Sequence, residues 1–287
     1  MKLTKNWNWS IGMALAAAML SVGGALAAGP PAAPKVSTFA PVKDVVAQIE
    51  FYLKRIDEAV ATEAEYKDSE TRVAKDANTL VLLALAAGLH DEDNAYKAAA
   101  PGLLKAAQEL AKAAAFTEPP PGTQTPPAEV AKRDAAVQAT AAGVKKAAES
   151  KDGNAAVLKW TKSADLAELM KQVPLVHNRL KRNLRADRFK KRAEANAGDT
   201  TTLAVIAQGS IADTSAVKKA GEEEKWFKLC LEMRDSAAAL NKAIREGKQA
   251  DADKVAGTLN QNCDDCHTVF NPAAKEKMAK EAAKEKD

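Results

Sequence analysis

The residue types best suited to chemistry gather near the end of the chain, in the run Asn262-Cys263-Asp264-Asp265-Cys266-His267. On a helix, positions three apart share a face. Both thiols can therefore meet one flat partner, with the next residue's imidazole carried beside them. This C-x-x-C-H spacing matches the covalent attachment motif of a c-type haem. The two thiols would join the two vinyl groups of one porphyrin, and His267 would ligate the iron from the proximal side. A redox disulfide at this spacing usually stands in a βαβ setting, which is absent here. A structural zinc needs about four ligands, whereas the chain offers 3 His, widely spread. One covalent haem c is the expected cofactor. Cys230 lies beside Trp226, Phe227 and Leu229 and reads as a buried free thiol. The sequence has no acid–base dyad, nucleophile constellation or phosphate loop, so no enzymatic activity is expected.

The elements that must position these residues read as helices. Ala, Leu, Glu, Lys and Arg dominate, and aromatics make up 5%. These are good helix formers, so the expected fold class is all-α. After a Pro/Ala-rich lead at 28–40, one helical block occupies 41–150 and a second 163–271. A linker at 151–162 joins them, and a charged tail, 272–287, ends the chain. The blocks resemble each other. Phe51-Tyr52-Leu53-Lys54-Arg55 answers Asn178-Arg179-Leu180-Lys181-Arg182. Asp76-Ala77-Asn78-Thr79-Leu80 answers Asp199-Thr200-Thr201-Thr202-Leu203, each read as an N-cap opening an apolar helix (Val81 to Leu89, Ala204 to Ile211). Further helices are expected near Leu103–Ala115 and Phe227–Ile244, then near Ala128–Glu149 and Asp251–Phe270. Four helices per block predict two tandem antiparallel four-helix bundles.

The copies differ where chemistry is concerned. A Pro-rich insert, Glu118 to Pro127, makes a long loop between the third and fourth helices of the first block. That block has no cysteine, and Lys145, Ala148 and Glu149 fall opposite Cys263, Cys266 and His267. It is expected to be a degenerate bundle without haem. Its core should be closed by Val81, Leu82, Leu83, Leu85, Leu103 and Leu104, with no large pocket, because an unfilled haem-sized void would be costly.

A haem motif at the very end of a four-helix block, with Phe270 three residues after the His, resembles the cytochrome c-prime family, also called class II cytochromes c. The resemblance covers the second block. It implies a four-helix bundle with the haem held by the last helix. The chain departs from that family in having Asn271 where a basic residue is usual, and in having two blocks. The run Ala164-Asp165-Leu166-Ala167-Glu168-Leu169-Met170-Lys171 is similar to the first helix of the haem-b four-helix cytochromes, where a Met near the start ligates iron. That likeness offers Met170 as the distal ligand. His177 is the runner-up, seven residues on and about 10 Å further along, with Pro174 between them expected to kink or restart the helix. Electron transfer is the expected function. The alternative is a five-coordinate haem protein that binds small gases such as NO or CO. His90, at a helix end, receives no function.

Lys2 and Lys5, an apolar run from Ile11 to Ala27, and Ala25-Leu26-Ala27 read as a cleavable export signal over 1–27, hence a periplasmic location. No later stretch is long and apolar enough to span a membrane once the signal is removed. Without Lys2 and Lys5, 40 basic residues face 38 acidic ones, a net +2. That balance gives no argument for nucleic acid. The expected partners are redox proteins of the periplasm, with a homodimer as a candidate assembly.

Overall fold

The structure, a computed structural model, describes residues 29–115, 123, 125–151 and 157–276. The stretch read as an export signal, most of the Pro-rich insert, part of the linker and the end of the tail lie outside the described residues. Among the described residues the chain is helical throughout, without strands. A short 3-10 helix, Val36–Thr38, precedes eight α-helices. These are α1 (Val42–Ala59), α2 (Glu63–Leu89), α3 (Ala100–Ala113) and α4 (Pro127–Glu149), then α5 (Leu166–Asn183), α6 (Ala193–Ser210), α7 (Glu223–Arg245) and α8 (Gln249–Phe270). Among the described residues, no helix is long and apolar enough to cross a membrane.

Local chemistry sets the ends of these helices. Thr62 caps α2: its Oγ1 accepts from Glu65 N–H and donates to the Glu65 carboxylate. Asp165 caps α5 by accepting from the N–H groups of Ala167 and Glu168. Pro127 opens α4, where its missing N–H costs nothing. The turn from α7 to α8 needs Gly247, whose φ is 70°. Its N–H donates to Ile244 C=O, and Lys248 N–H donates to Ala243 C=O, closing α7 with two bonds and sending the chain straight back.

Each helix packs on the next along the chain within 42–149 and again within 166–270. α1 touches α4 lightly, and α5 scarcely touches α8. The halves meet where α1 and α2 pack against α5 and α6. One continuous apolar core runs through both halves. α2 and α6 lie at its centre, so they are buried on nearly every side from Ala77 to Ala87 and from Asn196 to Ser210.

Two Arg–Asp pairs cross matching helix pairs. Arg55 of α1 holds Asp76 of α2 at 3.0 Å, and Arg179 of α5 holds Asp199 of α6 through both carboxylate oxygens. Both guanidiniums stack on the Phe51 ring, at 5.4 and 5.2 Å. Gln172 of α5 donates to Tyr52 Oη and to Asp76, tying the halves together through buried groups.

These pairs correct several expectations. Asp76 and Asp199 are not N-caps but interior residues of α2 and α6, kept there because each carboxylate meets an arginine. Arg55 therefore answers Arg179 rather than Arg182. The slip is three residues, nearly one turn, so the apolar face survives it. Pro174 neither stops nor restarts α5, which runs unbroken through it; the proline only removes the bond to the Met170 carbonyl. The first half is filled inside by Leu80, Leu82, Leu83, Leu103 and Leu110, all fully buried. It nevertheless carries an open groove of about 590 Å³ between α1 and α4, lined by Leu53, Ile56, Tyr96 and Val144. The expected absence of any large pocket fails there, because the two outer helices barely meet.

Candidate functional site

α8 carries the chemical residues in its last two turns, and α7 fixes their orientation. Gly247 turns the chain back, so residues on α7 and α8 pair antiparallel. Three contacts report one register. Asn262 Nδ2 donates to Ser236 Oγ (2.8 Å) and Glu232 C=O (3.0 Å). One turn on, Cys266 packs against the cluster of Ile211, Trp226, Phe227 and Cys230 and is felt electrostatically by Cys230. One turn further, Phe270 meets Trp226 edge to face, ring centroids 5.2 Å apart. Trp226 is itself pinned by its Nε1–H, which donates to Ser210 C=O at 3.0 Å.

Cys263, Cys266 and His267 are each half-buried. Burial pushes the thiols of Cys263 and Cys266 up to about 11, so both are protonated at neutral pH. Burial likewise raises Cys230, helped by the neighbouring Cys266. Burial lowers the His267 pKa against the opposing pull of Asp264, favouring the neutral imidazole that ligates metals. His267 Nδ1 is buried and has no hydrogen-bond partner. A buried polar atom without a partner is costly.

α5 faces α8 across an incompletely closed seam. Leu166 packs in the cluster of Cys266 and Phe270. His177 hydrogen-bonds Asn260, and Gln249 Nε2 donates to Leu184 C=O at 3.2 Å. This antiparallel order sets Met170 level with the Cys263–His267 segment. His177 sits nearer the start of α8, in a cleft of about 500 Å³ whose walls include Leu180, Lys181, Leu240, Gly257 and Asn260. Burial lowers the His177 pKa, and the Asn260 bond opposes that. Met170 is half-buried and packs on the main core. The structure thus brings Met170 to the level of the attachment pair and gives His177 a partner of its own.

The sequence reading missed Asn260, Asn262 and Ser236, whose roles depend on inter-helix register, and it missed that Cys230 faces Cys266. Gly247 was the available signal, since it fixes where α7 ends. His90 is buried and satisfied: its Nε2 bonds Ala40 C=O at 3.0 Å, and its Nδ1 accepts from Glu92 N–H. Among the described residues, no group of three or more His, Cys, Asp or Glu side chains is placed to hold a metal ion.

The residues present fit a covalently bound haem. Two thiols and an imidazole lie on the last two turns of one helix. The imidazole keeps a buried nitrogen unpartnered, and the cleft beside the facing helix opens nearer the start of α8, with none of these three residues in its walls. No family model, curated protein or solved structure matches the chain.

Proposed function

We propose that this chain is an exported electron carrier of the cytochrome c-prime type. One haem c would be held by thioethers at Cys263 and Cys266, with His267 as the proximal ligand. The two helical halves are read as tandem antiparallel four-helix bundles, the first lacking the cofactor. The observation that carries the reading is C-x-x-C-H on the final turns of α8, with the buried His267 Nδ1 unpartnered. When bound, the haem supplies one-electron chemistry at iron. The chain's own residues do the rest. α7 holds α8 in register through Asn262 and the Trp226–Phe270 contact. The apolar cluster of Ile211, Trp226 and Phe227 keeps water from one side of the site. Met170, level with the attachment pair on the facing helix, would supply the second iron ligand, and a ligand supplied by the chain would favour electron transfer over binding NO or CO. His177 is the weaker distal candidate, since Asn260 already engages it.

The test is the electronic spectrum of the purified haem form in both oxidation states, with and without carbon monoxide. A six-coordinate low-spin spectrum indifferent to carbon monoxide supports the electron carrier. A high-spin iron that binds carbon monoxide would replace it with a gas-binding function. The periplasmic location is tested by recovering the mature chain, beginning at Ala28, from that compartment.

A further inference from the structure

The C-x-x-C-H motif uses two thiols, yet the fold brings a third beside one of them. Cys230 is buried on α7 in a cluster with Ile211, Trp226 and Phe227, and Cys266 packs onto that cluster from α8. Its position is not incidental. It lies between two contacts that lock the same helix pair, Asn262 on Ser236 and Phe270 on Trp226, which on α8 are each one turn from Cys266. The α7–α8 register therefore sets Cys230 and Cys266 at the same level of the helix pair, close enough to interact electrostatically. Cys263 belongs to neither apolar cluster. It lies three residues from Cys266 on the same helix and is the rival partner for it. Cys266, however, packs into the apolar cluster that holds Cys230.

We propose that Cys230 and Cys266 form a disulfide in the haem-free chain, and that this bond withholds Cys266 from attachment until it is reduced. The gating part rests on the haem reading above; the bond itself does not. The oxidant is a disulfide of the exported compartment, on a protein or a small molecule. Cys266 loses its proton and attacks one sulfur of that disulfide, releasing the first thiol. Cys230 Sγ then loses its proton and displaces the second. The chain loses two S–H bonds and gains one S–S bond, and the oxidant gains two electrons and two protons as two thiols. Once haem is attached, Cys266 is a thioether and Cys230 remains as a free thiol.

The test uses the full mature chain prepared without haem. The chain is oxidised with glutathione disulfide, alkylated and digested without reduction. The expected product links the Cys230 and Cys266 peptides and leaves Cys263 alkylated. Cys263→Ser should keep the bond, and Cys230→Ser should lose it. Oxidised wild-type chain should form at most one thioether, at Cys263, until a reductant is added, and two afterwards. Cys263→Ala/Cys230→Ser, whose single thiol Cys266 would only be capped by glutathione, is kept from the oxidant and should form one thioether without reductant. A Cys263–Cys266 bond as the main product, or three alkylated thiols after oxidation, would overturn the proposal. If the 230–266 bond forms but reduced chain takes no covalent haem, the haem reading and the gating fall together while the bond stands.

Discussion

The indole of Trp226 on α7 meets the ring of Phe270 on α8 edge to face, 5.2 Å between centroids and 88° between planes. The contact closes the far end of the α7–α8 pair, just past His267. It holds the last turn of α8 against a side chain anchored on α6 through Ser210 C=O. Without it, the turn bearing His267 would end unsupported.

Phe270→Ala should therefore loosen the last turns of α8 more than it unfolds the chain. The expected cost is about 1–3 kcal/mol, from the lost aromatic pair and partial burial. Amide exchange across 263–270 should speed up while α2 and α6 stay protected. Uniform acceleration across all helices would show that Phe270 supports the global fold instead.

Met170→Ala should convert a low-spin iron toward high spin and admit carbon monoxide, because the thioether sulfur is the proposed sixth ligand. His177→Ala should leave the spectrum nearly unchanged, since His177 bonds Asn260 nearer the start of α8. Opposite results for the two variants would exchange their roles.

Arg179 sits between the halves, bonded to Asp199 and stacked on Phe51. Asp199 is buried, and burial alone would raise its pKa. Arg179→Ala leaves that carboxylate without its cation and should cost about 3 kcal/mol in chemical denaturation. Arg179→Ala/Asp199→Ala should cost less than the single change. If the double variant is the less stable of the two, the stranded carboxylate is not the cause.

Gly209 of α6 faces Leu82 of α2 so closely that an added Cβ would stand 2.7 Å from both Leu82 methyl carbons. Leu82 is fully buried and has nowhere to turn. Gly209→Ala gains helix propensity of up to about 1 kcal/mol, but overpacking costs about 1–3 kcal/mol, so a net loss of stability is expected. Gly143, with open space around it on α4, should show the reverse sign when changed to Ala. A stabilising Gly209→Ala would mean that the α2–α6 crossing is looser than described.

Much of this was legible in the sequence because helix-forming composition and a five-residue motif are local signals. The helices near Phe227–Ile244 and Asp251–Phe270 lie within a few residues of α7 and α8. The errors arose where a residue serves a distant partner. Asp76 looks like a cap because Asp favours caps, and only Arg55, twenty-one residues away, explains it inside a helix. Pro174 looks like a breaker, yet packing of Leu169, Val176 and Leu180 carries α5 past it. Cys230 read correctly as a buried thiol, but its place opposite Cys266 required the register set by Gly247.

Covalent attachment at Cys263 and Cys266 can be read from the intact mass of the mature chain after acid–organic extraction. The account predicts one haem mass per chain, retained through extraction and absent from Cys263→Ala/Cys266→Ala. A mature chain at its bare polypeptide mass after expression with full haem supply and reductant, or a double variant that still retains haem covalently, would contradict it.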